Sequence, residues 1–412
     1  MLLRFACSNF RSIKEKQEIL FTAAKHVKEH DEAVRTVNGL PKQRVLPVVA
    51  LYGANASGKS NMLKALEFLK RGVLFSHVEW SRGIDRQPFR LDAAWRDEPS
   101  SFEVDFLLGG TRYHYGFVCD DRVVREEWLM VASRGASRVW FHREAGQNFE
   151  YRGAIKAQGT AIKKAGFERE NILSLSLLMQ GNASAMDGFH KFFSRKIHFI
   201  YPDNHSDETL LLSYDEGIWR DINKMMASAD AGIEDVKVQR TTSSYISMSD
   251  ESMNATLHRQ EPIFRHALAD IDDYFTEKQE SHGTVRFFNL SGPVLMALQT
   301  GACLCIDELD SSLHTLLSRA IIRLFMDPKT NPKGAQLLFT THDTNLLSTE
   351  VLRRDQVWLT EKDTAGATHM YSLADFKLSA KADIEKLYLE GRFGGLPFLD
   401  GFSEALRGED AQ

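Results

Sequence analysis

The chain has 412 residues, enough for one large domain or two ordinary ones with a sizeable buried core. Its 43% hydrophobic and 26% charged residues exclude a disordered or fibrous chain. A net charge of −5 excludes a surface that is basic throughout, although a local basic face stays open.

The four cysteines, Cys7, Cys119, Cys303 and Cys305, lack zinc-site spacing and are too sparse for a disulfide framework. Cys303 and Cys305 stand two apart in an apolar run, which predicts packing on one face of a buried strand. No run approaches the roughly 18 apolar residues that span a bilayer. Met1-Leu2-Leu3-Arg4-Phe5 begins no long apolar run and no small-residue cleavage site follows, so a leader is not expected. The expected location is cytoplasmic.

In chain order, Leu2, Leu3 and Phe5 begin a strand, Asn9-Phe10-Arg11-Ser12 a turn, and Ile19-Leu20-Phe21 a second strand. A polar stretch, residues 26–44, precedes an apolar run over 45–51 that reads as a short, doubly buried strand. It ends at Gly53. Met62, Leu63, Leu66 and Leu69 then recur at helical spacing. Short alternating segments over 102–106, 113–118, 123–131 and 139–141, with a Gly109-Gly110 turn, predict an antiparallel meander. Residues 155–275 read as mostly helical, with a strand-like run over 197–200 and no sustained heptads. From about residue 285 an α/β pattern returns: strands at 304–306, 336–340 and 357–359, and a helix over 316–325. The tail, with Gly391, Gly394, Gly395 and Pro397, reads as a loop-rich end. The expected division is 1–154, 155–275 and 276–412.

Two motifs carry chemistry. Gly53-Ala54-Asn55-Ala56-Ser57-Gly58-Lys59-Ser60 fits GxxxxGKS, with a strand before it and a helix after it. Its glycines let successive N–H groups face phosphate oxygens, and the helix start adds its positive dipole end. Lys59 is expected to reach the β- and γ-phosphates and Ser60 to bind Mg²⁺. Asn61 follows at the same helix start. The second motif, Cys303-Leu304-Cys305-Ile306-Asp307-Glu308, is an apolar strand ending in two acids. Asp307 is placed to hold Mg²⁺ directly or through water, and Glu308 to act as general base. The loop alone would equally suit a kinase, a GTPase or a motor.

Further segments narrow this. Glu308-Leu309-Asp310-Ser311-Ser312-Leu313-His314 resembles the stretch joining the acidic strand to the D-loop in ABC-type ATPases, and Leu338-Phe339-Thr340-Thr341-His342-Asp343 resembles their switch-histidine strand. Asn9-Phe10-Arg11-Ser12 is similar to the N-terminal signature of SMC-like and RecF-like ATPases. Glu280-Ser281-His282-Gly283-Thr284-Val285-Arg286 and the tail from Tyr388 to Pro397 resemble the bacterial AAA-15/AAA-21 branch, which includes RloA-like and abortive-infection ATPases. The signature departs from LSGGQ at His282 and Thr284.

The resemblance implies an ABC-type α/β head: a mixed sheet around the phosphate-loop helix, an antiparallel β subdomain and a mostly helical insertion. It implies ATP and Mg²⁺ as ligands, with ATP sandwiched between two copies. Ser281 and Gly283 of one copy would cap the γ-phosphate held by the other copy's loop. His342 would contact that phosphate and orient water, Asp310 would communicate across the dimer, and Arg11 would approach the phosphates. Gln87 would be a Q-loop residue near the metal.

Basic clusters at Arg152, Lys156, Lys163 and Lys164, and at Lys191, Arg195 and Lys196, leave nucleic-acid binding open. About 70 residues follow His342, too few for the Toprim nuclease of OLD-type relatives. The expected function is an ATPase that dimerises and regulates a separate effector, a Toprim, HNH or RloB-like nuclease, in anti-phage defence. The alternatives are a RecF-like repair ATPase that binds DNA itself and an ATP-locked scaffold with little turnover.

Overall fold

The computed structural model describes residues 1–38, 43–133, 136–181, 184–203, 207–229, 232–246, 254–268, 270, 273–379 and 382–396. Side chains of residues 241–259 are outside the description, as are Pro397 and the residues after it. The chain divides into two compact units. The larger comprises Leu2–Ser194 and the residues from Phe339 onward, the smaller Met1 and Arg195–Leu338.

In the larger unit the N-terminal strand, turn and strand form as expected. Leu2–Ser8 and Gln17–Leu20 pair antiparallel, with Phe5 opposite Ile19. They join the meander Ser100–Leu108, Thr111–Cys119, Val124–Ser133 and Ala136–Glu144 to make one six-stranded antiparallel sheet. Alternation built it: Phe102, Val104 and Phe106 are buried on one strand, and Tyr115 and Phe117 on the next. Phe106 stacks on Phe192 at 4.5 Å and meets Phe189 and Phe193 edge-on, which fixes the helix Ser184–Arg195 to the sheet.

A second sheet region of this unit carries the strand Val48–Tyr52. All five of its residues are buried, as the apolar run demands, and it runs parallel to Val357–Lys362. That strand pairs antiparallel with Thr368–Ser372. The helix Lys59–Glu79 follows Val48–Tyr52 and buries Met62, Leu63, Leu66 and Leu69. Its Phe68 joins Phe10, Phe102, Phe117 and Trp80 in one aromatic cluster, with successive ring centroids 4.8–6.0 Å apart. The turn at Asn9, the helix and the antiparallel sheet thus share one core. The tail does more than end the chain. After the helix Ile384–Leu389 it folds back: Tyr371 Oη donates to the Phe393 carbonyl at 2.6 Å, Tyr388 Oη to the Gly395 carbonyl at 3.0 Å, and Gly395 N–H to Glu361 Oε2 at 3.2 Å.

In the smaller unit Ile197–Ile200 and Cys303–Ile306 pair in parallel, with Phe199 opposite Cys305. Cys303 and Cys305 are buried there, in keeping with packing. The helices Glu216–Ala229, His282–Thr300 and Thr315–Met326 belong to this unit. Helices also dominate the regular structure of residues 155–229. Beyond them lies an element that the sequence reading lacks: a long antiparallel hairpin, Ile233–Ile246 with Asn254–His266, extended at its base by Phe275–Thr276. Among the described residues no helix is long and apolar enough to cross a membrane.

Candidate functional site

The sequence-predicted residues fall in both units. Arg11, Gln87, the loop Gly53 to Ser60, Asn61 and His342 belong to the larger; Ser281, Gly283, Asp307, Glu308 and Asp310 belong to the smaller.

In the larger unit, Gly53 leaves the buried strand with φ +151°, and a Cβ there would lie 2.1 Å from the Thr360 carbonyl oxygen. Only glycine allows that approach. Asn55 and Ala56 are exposed at the bend, where Ala56 takes φ +62°. Lys59 is 5% exposed, and its ammonium donates to the carbonyls of Gly53 at 2.7 Å and Ala54 at 2.9 Å. The same nitrogen lies 3.5 Å from His342 Nδ1. Residues 283 apart in sequence are thus brought together: the loop lysine and the histidine at the end of the strand Gln336–Thr341. Ser57 Oγ is buried and has no hydrogen-bond partner among the described residues. The N–H groups of Asn55, Ala56 and Gly58 donate to none of them either. A buried hydroxyl and loop N–H groups without acceptors among the described residues, beside a buried ammonium at a helix start, fit an anion such as a nucleotide phosphate.

The Asn9-Phe10-Arg11-Ser12 turn has a structural job that its motif did not reveal. Asn9 is fully buried: Nδ2 donates to the carbonyls of Trp95 at 2.9 Å and Glu98 at 2.6 Å, and Oδ1 accepts from Phe89 N–H at 2.9 Å. Arg11 N–H donates to the Gln87 carbonyl at 2.6 Å, so Arg11 and Gln87 meet through their backbones. Arg11 takes φ +53°, and its Nε is buried without a partner among the described residues.

In the smaller unit the buried strand Cys303–Ile306 delivers Asp307, 5% exposed, and Asp307 N–H donates to the Ile200 carbonyl at 2.8 Å. Glu308 is half-buried with φ +52°. A left-handed glutamate costs about 1–3 kcal/mol and concentrates at working sites. The following turn closes through Ser311 N–H to the Glu308 carbonyl and Leu313 N–H to the Asp310 carbonyl, both 3.1 Å. Ser281 is exposed and caps the helix His282–Thr300, its Oγ accepting Thr284 N–H at 3.0 Å. A Cβ on Gly283 would lie 2.9 Å from the Ser312 carbonyl oxygen, so the turn at Ser281 and Gly283 packs closely against the turn that follows Glu308. A cavity of about 460 Å³ opens beside Ser281, Gly283, Ser312 and His314, with Phe287 in its wall.

Arg286 is the residue that sequence reasoning quoted but gave no role. Its guanidinium is buried and donates to the carbonyls of Tyr201 at 3.3 Å and of Asp307 and Glu308, each at 3.4 Å. Burial lowers its pKa, while the charges of Glu308 and Asp307 act the other way. Five residues past Ser281 on the helix His282–Thr300, it grips the backbone of both acids from behind. The signal available in the sequence was a lone arginine among Val285, Phe287 and Phe288.

The basic clusters are partly spent on the protein itself. Lys163 donates to the Phe149 carbonyl and stands 3.6 Å over the Phe149 ring, and Lys196 donates to the Thr300 carbonyl. Among the described residues no group of three or more His, Cys, Asp or Glu side chains could hold a metal. Mg²⁺ sites commonly use one or two carboxylates plus substrate phosphates.

A fully buried strand, a glycine loop with a buried lysine and the helix behind it define a P-loop of the AAA type. The family model described as "AAA domain, putative AbiEii toxin, Type IV TA system" matches residues 48–348, and the chain belongs to that family. No curated protein matches the chain. Similar solved structures include an Smc head bound to the C-winged helix domain of ScpA, at 13% identity and TM-score 0.45 over 92% of this chain and 98% of that one. Another is the Smc head domain with an extended coiled coil bound to the C-terminal domain of ScpA, derived from Pyrococcus furiosus. It shows 12% identity and TM-score 0.40 over 95% and 99% of the two chains.

Proposed function

We propose that this protein binds ATP with Mg²⁺ and hydrolyses it, with Glu308 as general base. The observation that carries the reading is the approach of Lys59 and His342 to 3.5 Å at a glycine loop with N–H groups that have no acceptor among the described residues. Lys59 would leave its two carbonyls for the β- and γ-phosphates. Ser60 and Asp307 would hold Mg²⁺, which when bound neutralises charge on the phosphate oxygens. Gln87 is proposed near that metal, and Arg11 near the phosphates. Glu308 takes a proton from water as the water oxygen bonds to the γ-phosphorus; the bond from that phosphorus to the β–γ bridging oxygen breaks, and ADP carries the electron pair away. His342 orients the water.

Ser281 and Gly283 would cap the γ-phosphate held by a second copy, and Asp310 would report across that dimer. The exposed Ser281 at the start of a 19-residue helix, beside an open cavity, supports a ligand-facing role. The biological output proposed with this chemistry is regulation of a separate effector, a nuclease, in anti-phage defence; the family model's name refers to a putative toxin of a Type IV TA system.

One experiment tests the chemistry. Glu308→Gln keeps shape and loses the base, so phosphate release should fall about 100-fold or more while ATP still binds. Size measurement with ATP should then show the variant accumulating as a dimer. Equal hydrolysis by variant and wild type would remove Glu308 from the assigned role.

A further inference from the structure

A loop that binds phosphate through its N–H groups must turn its carbonyls away, and each turned carbonyl needs a donor behind it. The Ala54 carbonyl accepts from Ser57 N–H at 3.2 Å, and Lys59 holds the Gly53 and Ala54 carbonyls until it turns to phosphate. For Ser57, in the middle of the loop, the donor is Thr368: the threonine hydroxyl donates to the Ser57 carbonyl at 2.8 Å. Thr368 opens the strand Thr368–Ser372, 311 residues further along the chain.

The direction of the next bonds follows from counting hydrogens. A hydroxyl has one to give. A carbonyl can only accept, so Thr368 spends its hydrogen on Ser57. In the 2.7 Å contact between Ser12 Oγ and Thr368 Oγ1, Ser12 must therefore be the donor. Ser12 Oγ in turn accepts from Asn61 Nδ2 at 2.7 Å. The result is a one-way relay, Asn61 to Ser12 to Thr368 to Ser57, that leaves the loop's helix and returns to the loop. The backbone reinforces it: Thr368 N–H donates to the Ser12 carbonyl at 2.8 Å. A Cβ on Gly58 would fall 2.2 Å from Thr368 Oγ1, so the hydroxyl lies hard against the loop.

We propose that Thr368, oriented by Ser12, is a positioning residue for the phosphate loop: its hydroxyl keeps the Ser57 carbonyl turned outward, and so the neighbouring N–H groups turned toward phosphate. This rests on the nucleotide-binding reading above. Without the hydroxyl, a peptide flip at Ser57–Gly58 would present a carbonyl to the phosphates and repel them.

Thr368→Val preserves shape and removes the donor; Thr368→Ser keeps the donor and removes a methyl. Titration of the full chain with a fluorescent ATP analogue and with the ADP analogue, alongside melting without nucleotide, separates the cases. The expected result is a dissociation constant raised about ten-fold or more for both nucleotides in Thr368→Val, with Thr368→Ser within about two-fold of wild type. Ser12→Ala, which attacks the relay from its other end, should fall between and serves if the valine variant does not fold. Wild-type affinity in Thr368→Val or Ser12→Ala, equal weakening by serine and valine, or a lower melting point with unchanged affinity would each overturn the assignment. A wild-type protein that binds neither nucleotide would sink the nucleotide-binding reading itself, and this inference with it.

Discussion

Replacing Arg286 by methionine removes a buried charge of roughly the same length and apolar reach. The guanidinium donates to three carbonyls at 3.3–3.4 Å, long for such bonds, so each is worth about 0.5–1 kcal/mol net rather than the larger figure for short charge-assisted bonds. Methionine also removes the desolvation that lowers the arginine's pKa, which offsets part of the loss. The expected destabilisation is therefore modest, about 1–3 kcal/mol. The catalytic effect should be larger. Glu308 holds φ +52°, and Arg286 binds the carbonyl of that same residue. Released, the backbone can relax toward the right-handed region and carry the carboxylate away from the water it would deprotonate. A displacement near 1 Å costs roughly 100-fold in rate, so kcat should drop about 10- to 100-fold. Lys59 and the loop are untouched, so ATP affinity should stay within about three-fold. Phosphate release against ATP concentration, with an independent nucleotide titration, measures both. A kcat within two-fold of wild type, or an affinity loss as large as the kcat loss, would refute the positioning argument.

Asn9→Ala should cost about 2–4 kcal/mol, because it leaves the buried Phe89 N–H and the part-buried Trp95 carbonyl without their partner and takes one of two donors from the Glu98 carbonyl, which keeps Arg86. Chemical denaturation measures that loss, and proteolysis should speed up between residues 84 and 99. Asp105 gives a pH test. Burial pushes its carboxyl up, but His114 at 2.6 Å and Arg112 outweigh this and hold it below the usual range. A folded pKa below the unfolded one stabilises fully above the unfolded value, about 3.9, and the contribution fades as pH falls through the folded value. Asp105→Asn should therefore flatten the acid limb of the melting-temperature profile below about pH 4.

What the sequence revealed was whatever is local. The loop, its strand and its helix occupy adjacent residues, and the acids end their strand within one stretch. The meander announced itself through alternation at Phe102, Val104 and Phe106. The hairpin Ile233–Ile246 did not, because apolar alternation stops after Val236 and Val238 and gives way to hydroxyl residues. Still less visible were Thr368, Ser12 and the tail at Gly395. Their partners lie 311, 356 and 34 residues away, and each works through a single hydroxyl or N–H that leaves no periodic trace. Asn9 and Arg286 were quoted within motifs, yet their work is to hold backbone carbonyls, which composition and spacing do not encode.

The helix Lys59–Glu79 begins at the phosphate loop, and the aromatic cluster grips it at Phe68 and just past its end at Trp80. Twenty-one residues make a rod about 31 Å long. Clamped along its distal half by stacked rings and seated at the other end in the loop, it is a lever with a stiff arm. A tilt of about 5° at the loop would move the Trp80 end by about 2.7 Å, more than the slack a close-packed ring cluster allows. The antiparallel sheet would have to travel with it. Events at a phosphate would then reach that sheet as displacement of a whole surface, the kind of signal that a bound partner can feel.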